Sequence, residues 1–545
     1  SSGAYNDDGT LKANAKVIYV TENTKDTVTL SVSTGKIEET FTGVQNIITG
    51  YKKETAPLAI RFIGNVGDPA DMPKGDLYLD ALTAGVTVEG IGDDATANGW
   101  GIVIKNTSNL EVRNLGFMNC DSTEGDDVGL QQANDHIWVH NCDFFYGDAG
   151  SDADQVKGDG ALDTKKSSYV THSYNHFWDN GKCNLQGMKD ETTDNKITYH
   201  HNWYDHSDSR HPRIRTCTVH IYNNYFDGNA KYCVGVTMGA SAFVENNYFR
   251  STAKMKPMLA SGQGTDAKGE GTFSGENGGI IKAYGNTFVG SYDLMTQKNT
   301  ADKTDIDCYL ADARDEVVPS DYTTKKGGTT YNNFDTASDF YSYEVDSPEV
   351  AKEKIEKYAG RINGGDLKWT FDNAKEDANY AVIPGLKAKL TAYKNTEILK
   401  VAGVTVTGVA SGSNATTGGD NGDGDGETTG GNNSSVTGFI PADCTRIDFA
   451  QGASYPEGIS IAGNYDDKTG YLKMEGSTKI TLRFNSAGTL TIHGSEGGKK
   501  IKVNDTNYTL DSSGNVQVPI VLTNGEATIV ITKNNPTSLV YLLIS

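Results

Sequence analysis

Between residues 159 and 215 the sequence gathers side chains suited to hold a hard cation beside an anion. Asp159-Gly160-Ala161-Leu162-Asp163 carries two carboxylates four residues apart. On an extended strand, residues at even spacing share a face, and oxygen-only ligands suit a cation such as Ca2+. The competing reading is a solvated acidic turn, in a chain with 71 acidic residues. Lys182 follows, and the stretch closes with Arg210-His211-Pro212-Arg213-Ile214-Arg215. Alternation puts Arg213 and Arg215 on one face, and guanidinium groups grip carboxylates through paired hydrogen bonds. The competing reading there is surface solubility. A metal site facing a cationic site is an arrangement for handling a polyanion.

Nine of the ten histidines lie between His136 and His220. His136/His140 and His172/His176 are four apart, a chelating pair on a helix. On extended strands four residues span ~13 Å, so these histidines are expected in polar packing or along a substrate edge. The seven cysteines (Cys120, Cys142, Cys183, Cys217, Cys233, Cys308 and Cys444) include no CxxC spacing. No zinc or redox motif is expected, and the odd number leaves at least one without a partner in a monomer.

The elements that must position these groups are short strands. Val17-Ile18-Tyr19-Val20, Leu58 to Ile63 and Gly85 to Gly92 alternate or run apolar as strands do. A triplet then recurs: Asn175-His176-Phe177, Asn202-Trp203-Tyr204, Asn224-Tyr225-Phe226, Asn247-Tyr248-Phe249 and Asn286-Thr287-Phe288, with earlier apolar versions ending at Phe117 and Phe144. The aromatic positions are separated by 27, 33, 27, 22, 23 and 39 residues, so the unit is near 22 and longer intervals carry insertions. A fixed period of short strands without helices predicts stacked coils. The fold class is all-β: a right-handed parallel β-helix, with the aromatics in an inward stack and the Asn amides in a ladder along the axis. Residues 348–360 read as an amphipathic helix, Pro early and Gly at the stop, packed outside the coils.

The net charge of −22 over 545 residues argues against nucleic acid and anionic membranes as partners. An acidic polysaccharide needs a bridging cation or a local basic patch. No apolar run approaches the ~20 residues of a membrane span. The chain begins at Ser1 without Met, as a processed product does, and is polar with 28 Tyr. The expectation is a secreted, extracellular bacterial protein, monomeric in solution. Residues 1–410 form the first domain. Residues 411–435 are Gly, Ser, Thr, Asn and Asp, a flexible linker, whose Asp420 to Glu427 run reads as solvated linker rather than as a calcium loop. Residues 436–545 return to strand patterning and predict a β-sandwich.

Taken together, these residues resemble pectate lyases of polysaccharide lyase family 1, over roughly 55–300. Gly90-Ile91-Gly92 resembles the family's GxG turn, and Asn109 to Leu115 its NVIIRNL strand. Ile137-Trp138-Val139-His140-Asn141 stands where the family has VWIDH. Asp159 to Asp163 resembles DGLLD, and Arg210 to Arg215 resembles RxPRxR. The resemblance implies Ca2+ as cofactor, held by Asp159, Asp163 and Asp127, with Asp126 the close competitor. It makes Lys182 a contact of the substrate carboxylate, Arg210 the catalytic base and Arg215 a substrate-binding arginine. It implies β-elimination on polygalacturonate, the pectin of plant cell walls. The departure is His140-Asn141 in place of Asp-His, which touches local hydrogen bonding. A polygalacturonase-type hydrolase, a pectin lyase on methylated substrate and a β-helical glycan-binding adhesin remain as alternatives.

The last 110 residues resemble a carbohydrate-binding module. They hold none of the five Trp, but a basic cluster of Lys499, Lys500 and Lys502, with Lys479, Arg483 and Lys533 nearby. That pattern implies a pectin-binding module reading carboxylates by lysine. A structural β-sandwich or a cell-surface docking module is the alternative.

Overall fold

The computed structural model describes residues 3–148, 155–260, 273, 275–394 and most of 439–544. Among these the chain divides into a unit ending at Lys394 and a unit starting at Phe439. The linker expected at 411–435 and Cys444 lie outside the described residues.

The first unit is a parallel β-helix. One coil runs Leu162–Thr164, Ser167–Ser173, His176–Trp178; the next runs Leu185–Gln186, Ile197–His200, Trp203–Asp205; the next runs Arg213–Arg215, Thr218–Tyr222, Tyr225–Asp227. Each strand pairs in parallel with its counterpart one coil away. The first strands of the coils form an eight-stranded sheet. The second and third form two ladders joined into an 18-stranded sheet, because Leu58–Val66 and Val86–Asn98 bend through both. The helix Val44–Gly50 buries Val44, Ile47 and Ile48 against the first coils. This helix carried no signal in the strand pattern.

Stacking in register turns the repeat into two ladders of like side chains. Phe117, Phe144, Phe177, Tyr204, Phe226, Phe249 and Phe288 stack nearly flat at 4.4 to 5.3 Å, each contact worth about 0.5–1.5 kcal/mol beyond burial. Asn175, Asn202, Asn224, Asn247 and Asn286 stand at the bend between second and third strands. Each Nδ2 donates to the next Oδ1 at 2.9 to 3.1 Å, and each Oδ1 also accepts the preceding ladder residue's backbone N–H. The residue before each Asn is left-handed, from Tyr174 (φ 52) through His201, Asn223 and Asn246 to Gly285. That conformation turns the chain but strands its backbone groups, which the amides then satisfy.

The helix expected at 348–360 spans Pro348–Tyr358, capped by Ser347, with Ala351 and Ile355 buried against Tyr225 outside the coils. Beyond it, Arg361 is fully buried and donates to Asp143 at 2.7 Å. The helix Pro384–Thr391 packs Leu386 and Leu390 on Phe145, Tyr146 and Trp178. Six described cysteines are buried free thiols. Of the histidines four residues apart, His136 and His140 share one strand, while His172 and His176 sit on two.

Two carboxylates are buried at the start of the eight-stranded sheet, one coil either side of Gly101. Asp76 pairs with Gly101, and Asp127 accepts the Ile102 N–H through its carbonyl. Neither Asp76 oxygen, nor Asp127 Oδ1, has a partner within hydrogen-bond geometry, and Ser122 offers Asp76 only a partial offset. Burial, then the Asp76 charge, holds Asp127 well above the usual carboxylate range. Burial raises Asp76 to about 7.

The second unit is a β-sandwich of two antiparallel sheets of five and six strands, closed over Leu472, Ile480, Leu482, Ile492, Ile531 and Leu542.

Two outcomes test these interior arrangements. Asn202→Ala leaves the Asn175 N–H and the His172 carbonyl without partners, at about 3 kcal/mol. Its thermal midpoint should drop by several degrees and further than that of Asn286→Ala, at the half-buried end of the ladder; an unchanged midpoint refutes the ladder's role. For Asp76, the folded pKa of about 7 exceeds the ~3.9 of an unfolded chain. The folded state therefore binds more protons between those values, and stability declines as pH rises through them. The melting advantage of Asp76→Asn over the parent should grow from roughly pH 4.5 to pH 7.5 and then level off. An advantage independent of pH would mean that Asp76 is ionised throughout.

Candidate active site

The eight-stranded sheet carries the charged groups singled out above, because inward residues such as Leu162 and Ile214 alternate with outward ones. Asp163 stands opposite Gly129. Arg213 stands between Leu185 and Gly235 on the neighbouring strands. Just before these strands, Gly160 bridges Lys182 and Lys182 bridges Ser209. Asp159, Lys182 and Arg210 thus fall on three successive coils.

The acidic end is built around Gly160. A methyl group there would lie 2.5 Å from Asp163 Oδ1 and 2.7 Å from Asp126 Oδ1, so the bare glycine leaves a cradle flanked by two carboxylates. Asp126 Oδ1 accepts the Gly160 N–H at 3.1 Å, and Asp163 Oδ1 accepts the Leu185 N–H at 2.8 Å. Lys182 Nζ donates to Asp159 Oδ1 at 3.3 Å, and Lys165 Nζ lies 3.7 Å from Asp126 Oδ2. Burial, then the charges of Asp163 and Asp159, pushes Asp126 well above the ordinary carboxylate range. Burial also raises Asp163, against the pull of Lys165 and Arg210.

Asp127, favoured from the sequence as the third acid, is not in this group. Consecutive residues entering a strand project to different sides. Asp127 turns to Asp76 and Cys120, while Asp126 turns to Asp159 and Asp163. The Asp126 and Asp163 oxygens at the Gly160 cradle are the donor type a hard divalent cation takes, with Asp159 beside them bonded to Lys182, although the three carboxylates are not drawn together within 4.8 Å of one another.

The basic end is fixed from below. His211 is fully buried, its Nδ1 bonded to the Tyr232 carbonyl at 2.9 Å and its Nε2 to Ser207 Oγ at 2.9 Å. Arg210 before it is left-handed (φ 63), and its carbonyl accepts the Asn184 N–H. Arg213 and Arg215 both donate to Glu276, at 3.1 and 3.0 Å, and the Arg213 guanidinium lies over Phe273. Burial, with the neighbouring charges of Arg215 and Arg210, lowers the Arg213 pKa. Glu276 had no sequence signal, being 61 residues from Arg215. Lys165 had one: it lies two residues after Asp163 and shares its face.

His140 and Asn141 sit on a different sheet. His140 bonds Glu111 and Asn141 at 2.8 Å each, and Asn141 donates to the Tyr358 carbonyl, so the departure there is locally satisfied. Elsewhere Asp205, His206 and Asp227 cluster closely enough to hold an ion. Arg250 already bonds Asp227, and His206, raised to about 10 against its burial by Asp205 and Asp377, supplies a second positive charge.

In the second unit, Lys502 and Lys479 flank Thr532 in one row of the five-stranded sheet, about 9.6 Å apart at ~4.8 Å per strand. Lys500 precedes Lys502 by two residues and shares its face. Lys499 stands off the row and pairs with Glu496 at 3.0 Å.

Two family models match the chain: pectate lyase over residues 79–363 and carbohydrate binding module 77 over 459–542. A probable pectate lyase A of Aspergillus fumigatus is 32% identical over 215 residues, covering 38% of this chain and 64% of that protein, just under two thirds of its length. A pectate trisaccharide-lyase of Bacillus licheniformis is 33% identical over 168 residues, 30% of this chain and 48% of that one. Pectate lyase C of Dickeya chrysanthemi is 26% identical over 363 residues, 60% of this chain and 86% of that one. Among solved structures, a pectate lyase of Bacillus sp. N165 crystallised with trigalacturonate aligns with a TM-score of 0.44 and 22% identity, over 66% of this chain and 98% of that one. The pectate lyase model spans more than half of the 545 residues, and the chain belongs to the pectate lyase family.

Proposed function

We propose that the protein is a calcium-dependent pectate lyase that cleaves polygalacturonate outside the cell by β-elimination, and that its C-terminal module binds the same polymer. The observation that carries this reading is the single face on which Asp126, Asp159 and Asp163 adjoin Lys182, Arg210 and the strand Arg213–Arg215. Bound at the three carboxylates, Ca2+ would neutralise the uronate carboxylate and acidify the proton on the adjacent carbon. Lys182, held at 3.3 Å from Asp159, supplies an ammonium beside that carboxylate. Arg213 and Arg215 offer a fork already shaped around a carboxylate, that of Glu276.

In the elimination a base takes the C5 proton, the C–H electron pair becomes the C4–C5 double bond, and the C4–oxygen bond breaks. The departing oxygen then collects a proton. Arg210 is the base in this scheme and Arg215 stabilises charge developing on the uronate. An arginine ordinarily titrates above ~12, and crowding of cations is the condition under which one of them gives up its proton. A hydrolase would instead need two acids placed about a water, whereas here cations face the acids.

Two measurements test this reading. The ultraviolet absorbance of unsaturated uronate released from polygalacturonate should rise with enzyme, vanish with chelator, return with added Ca2+ and increase toward alkaline pH. Asp126→Asn should lower the rate on the order of 100-fold at limiting Ca2+, while Asp127→Asn stays within a few-fold. Reducing ends without absorbance, or the opposite ranking of the two variants, would reject the assignment. For the module, Lys502→Ala with Lys479→Ala should release the full chain from retardation in polygalacturonate gels, as deletion of 436–545 should. Unchanged retention rejects pectin binding by this face.

A further inference from the structure

One cavity of the first unit lies away from the charged face. It lies on the second ladder of strands, between the sheet and the segment 334–341, which opens with the 3-10 turn Phe334–Thr336, and has a volume of about 930 Å3. Its floor is two rows of outward side chains crossing four coils. Trp138, Thr171, Thr198 and His220 form one row by strand register. His136, Tyr169, Lys196 and Thr218 line the cavity one step earlier along the strands. Coils repeat at roughly 4.8 Å, so the floor runs about 14 Å along the axis.

The aromatic faces here are open. Tyr169 is 50% exposed and Trp138 36% exposed, in a chain whose other ring stacks are mostly interior. The His136 ring lies flat on Tyr169 at 4.7 Å. The Trp138 indole lies on His140 at 3.8 Å and donates to Ser173 Oγ at 2.9 Å, which fixes its plane. The far wall is pinned by Tyr341, whose hydroxyl contacts Thr198 Oγ1 at 3.1 Å and His220 Nδ1 at 2.6 Å. A concave site of a few hundred to about a thousand Å3, apolar with a few fixed polar groups, is the usual form of a small-ligand site.

Charge selects the ligand. Burial lowers His200 to about 3 and lowers His220 as well, so both imidazoles are neutral. The cation Lys196 is bracketed by Asp194 at 3.2 Å and Asp339 at 3.5 Å. The lining is therefore short of positive charge, opposite in character to the Arg210–Arg215 strand. A polyuronate would meet two carboxylates and a lysine already engaged. An uncharged sugar ring stacks on Tyr and Trp faces without that cost and finds Thr hydroxyls and imidazoles for its own hydroxyls.

We infer that this cleft is a second glycan-binding site, selective for uncharged pyranose chains, on a different sheet from the charged face. Two sources share that chemistry: a neutral polysaccharide, or a methyl-esterified stretch of galacturonan.

Calorimetric titration of the full chain with three hexamers tests this: a neutral galacto-oligosaccharide, a fully methyl-esterified hexagalacturonate and an unesterified one. At least one uncharged hexamer should bind, and which of the two does so identifies the source. Trp138→Ala and Tyr169→Ala should each weaken that binding tenfold or more, with unaltered circular dichroism. The inference is overturned if neither uncharged hexamer binds, if their binding survives both aromatic variants, or if those variants weaken the unesterified hexamer equally.

Discussion

Parallel stacking at a fixed register is the constraint on which the rest of the first unit depends. A strand repeated every ~4.8 Å places each side chain directly over its counterpart, and the consequences differ by chemistry. Aromatics and Asn amides gain from meeting their own kind, so seven rings and five amides run as ladders. Carboxylates lose. Asp126 and Asp163 meet across Gly160; burial first, then the charges of Asp163 and Asp159 on Asp126 and of Asp159 on Asp163, push both toward protonation. A fold indifferent to function would separate them. Keeping them together stores an electrostatic penalty that the proposed cation would remove, and removal of that penalty would itself be binding energy.

The same periodicity explains what could be read in the sequence. Asn and aromatic positions recur because each corner needs the same amide and each coil the same ring, so the β-helix was legible from five triplets. The acids and arginines were legible as groups because strand alternation sorts them to one face. The choice between Asp126 and Asp127 was not. Neighbouring residues differ by one step of a period of two, and only the bend into the strand decides which turns to Asp163 and which to Asp76. Glu276 and the buried cluster of Asp205, His206, Asp227, Arg250 and Asp377 were illegible for another reason. Their partners lie up to 171 residues apart, as His206 and Asp377 do, at insertions and tail segments that obey no repeat. The short helices at Val44–Gly50 and Pro384–Thr391 likewise cover coil surfaces without any period of their own.

Net charge and local charge also part company. The chain carries −22, yet the strand Arg213–Arg215, with Arg210 just before it, concentrates guanidinium groups on the eight-stranded sheet. A polyanion approaching such a surface is repelled at long range and captured only within a Debye length, about 8–10 Å at ordinary salt. Recognition would then be governed by contact geometry rather than by steering, and the binding proposed for the lysine row of the second unit, Lys479 and Lys502, would follow the same short-range rule.

Glu276 sharpens what contact geometry means here. Its carboxylate accepts from Arg213 and Arg215 together, and those hydrogen bonds hold it below its ordinary pKa although burial alone would raise it. The two arginines therefore stand ordered before any ligand arrives. Two guanidinium groups left to solvent would sample many rotamers, each costing entropy to fix. With Glu276 in place, a uronate bound at the fork as proposed would exchange one carboxylate for another. The exchange costs little in rotamer order, because the orientation of both guanidinium groups is already set. The price is competition from a tethered rival, so Glu276 lends the arginines order at the expense of affinity. That balance suits a polymer-degrading enzyme, which must release each product before the next segment can settle on the same face.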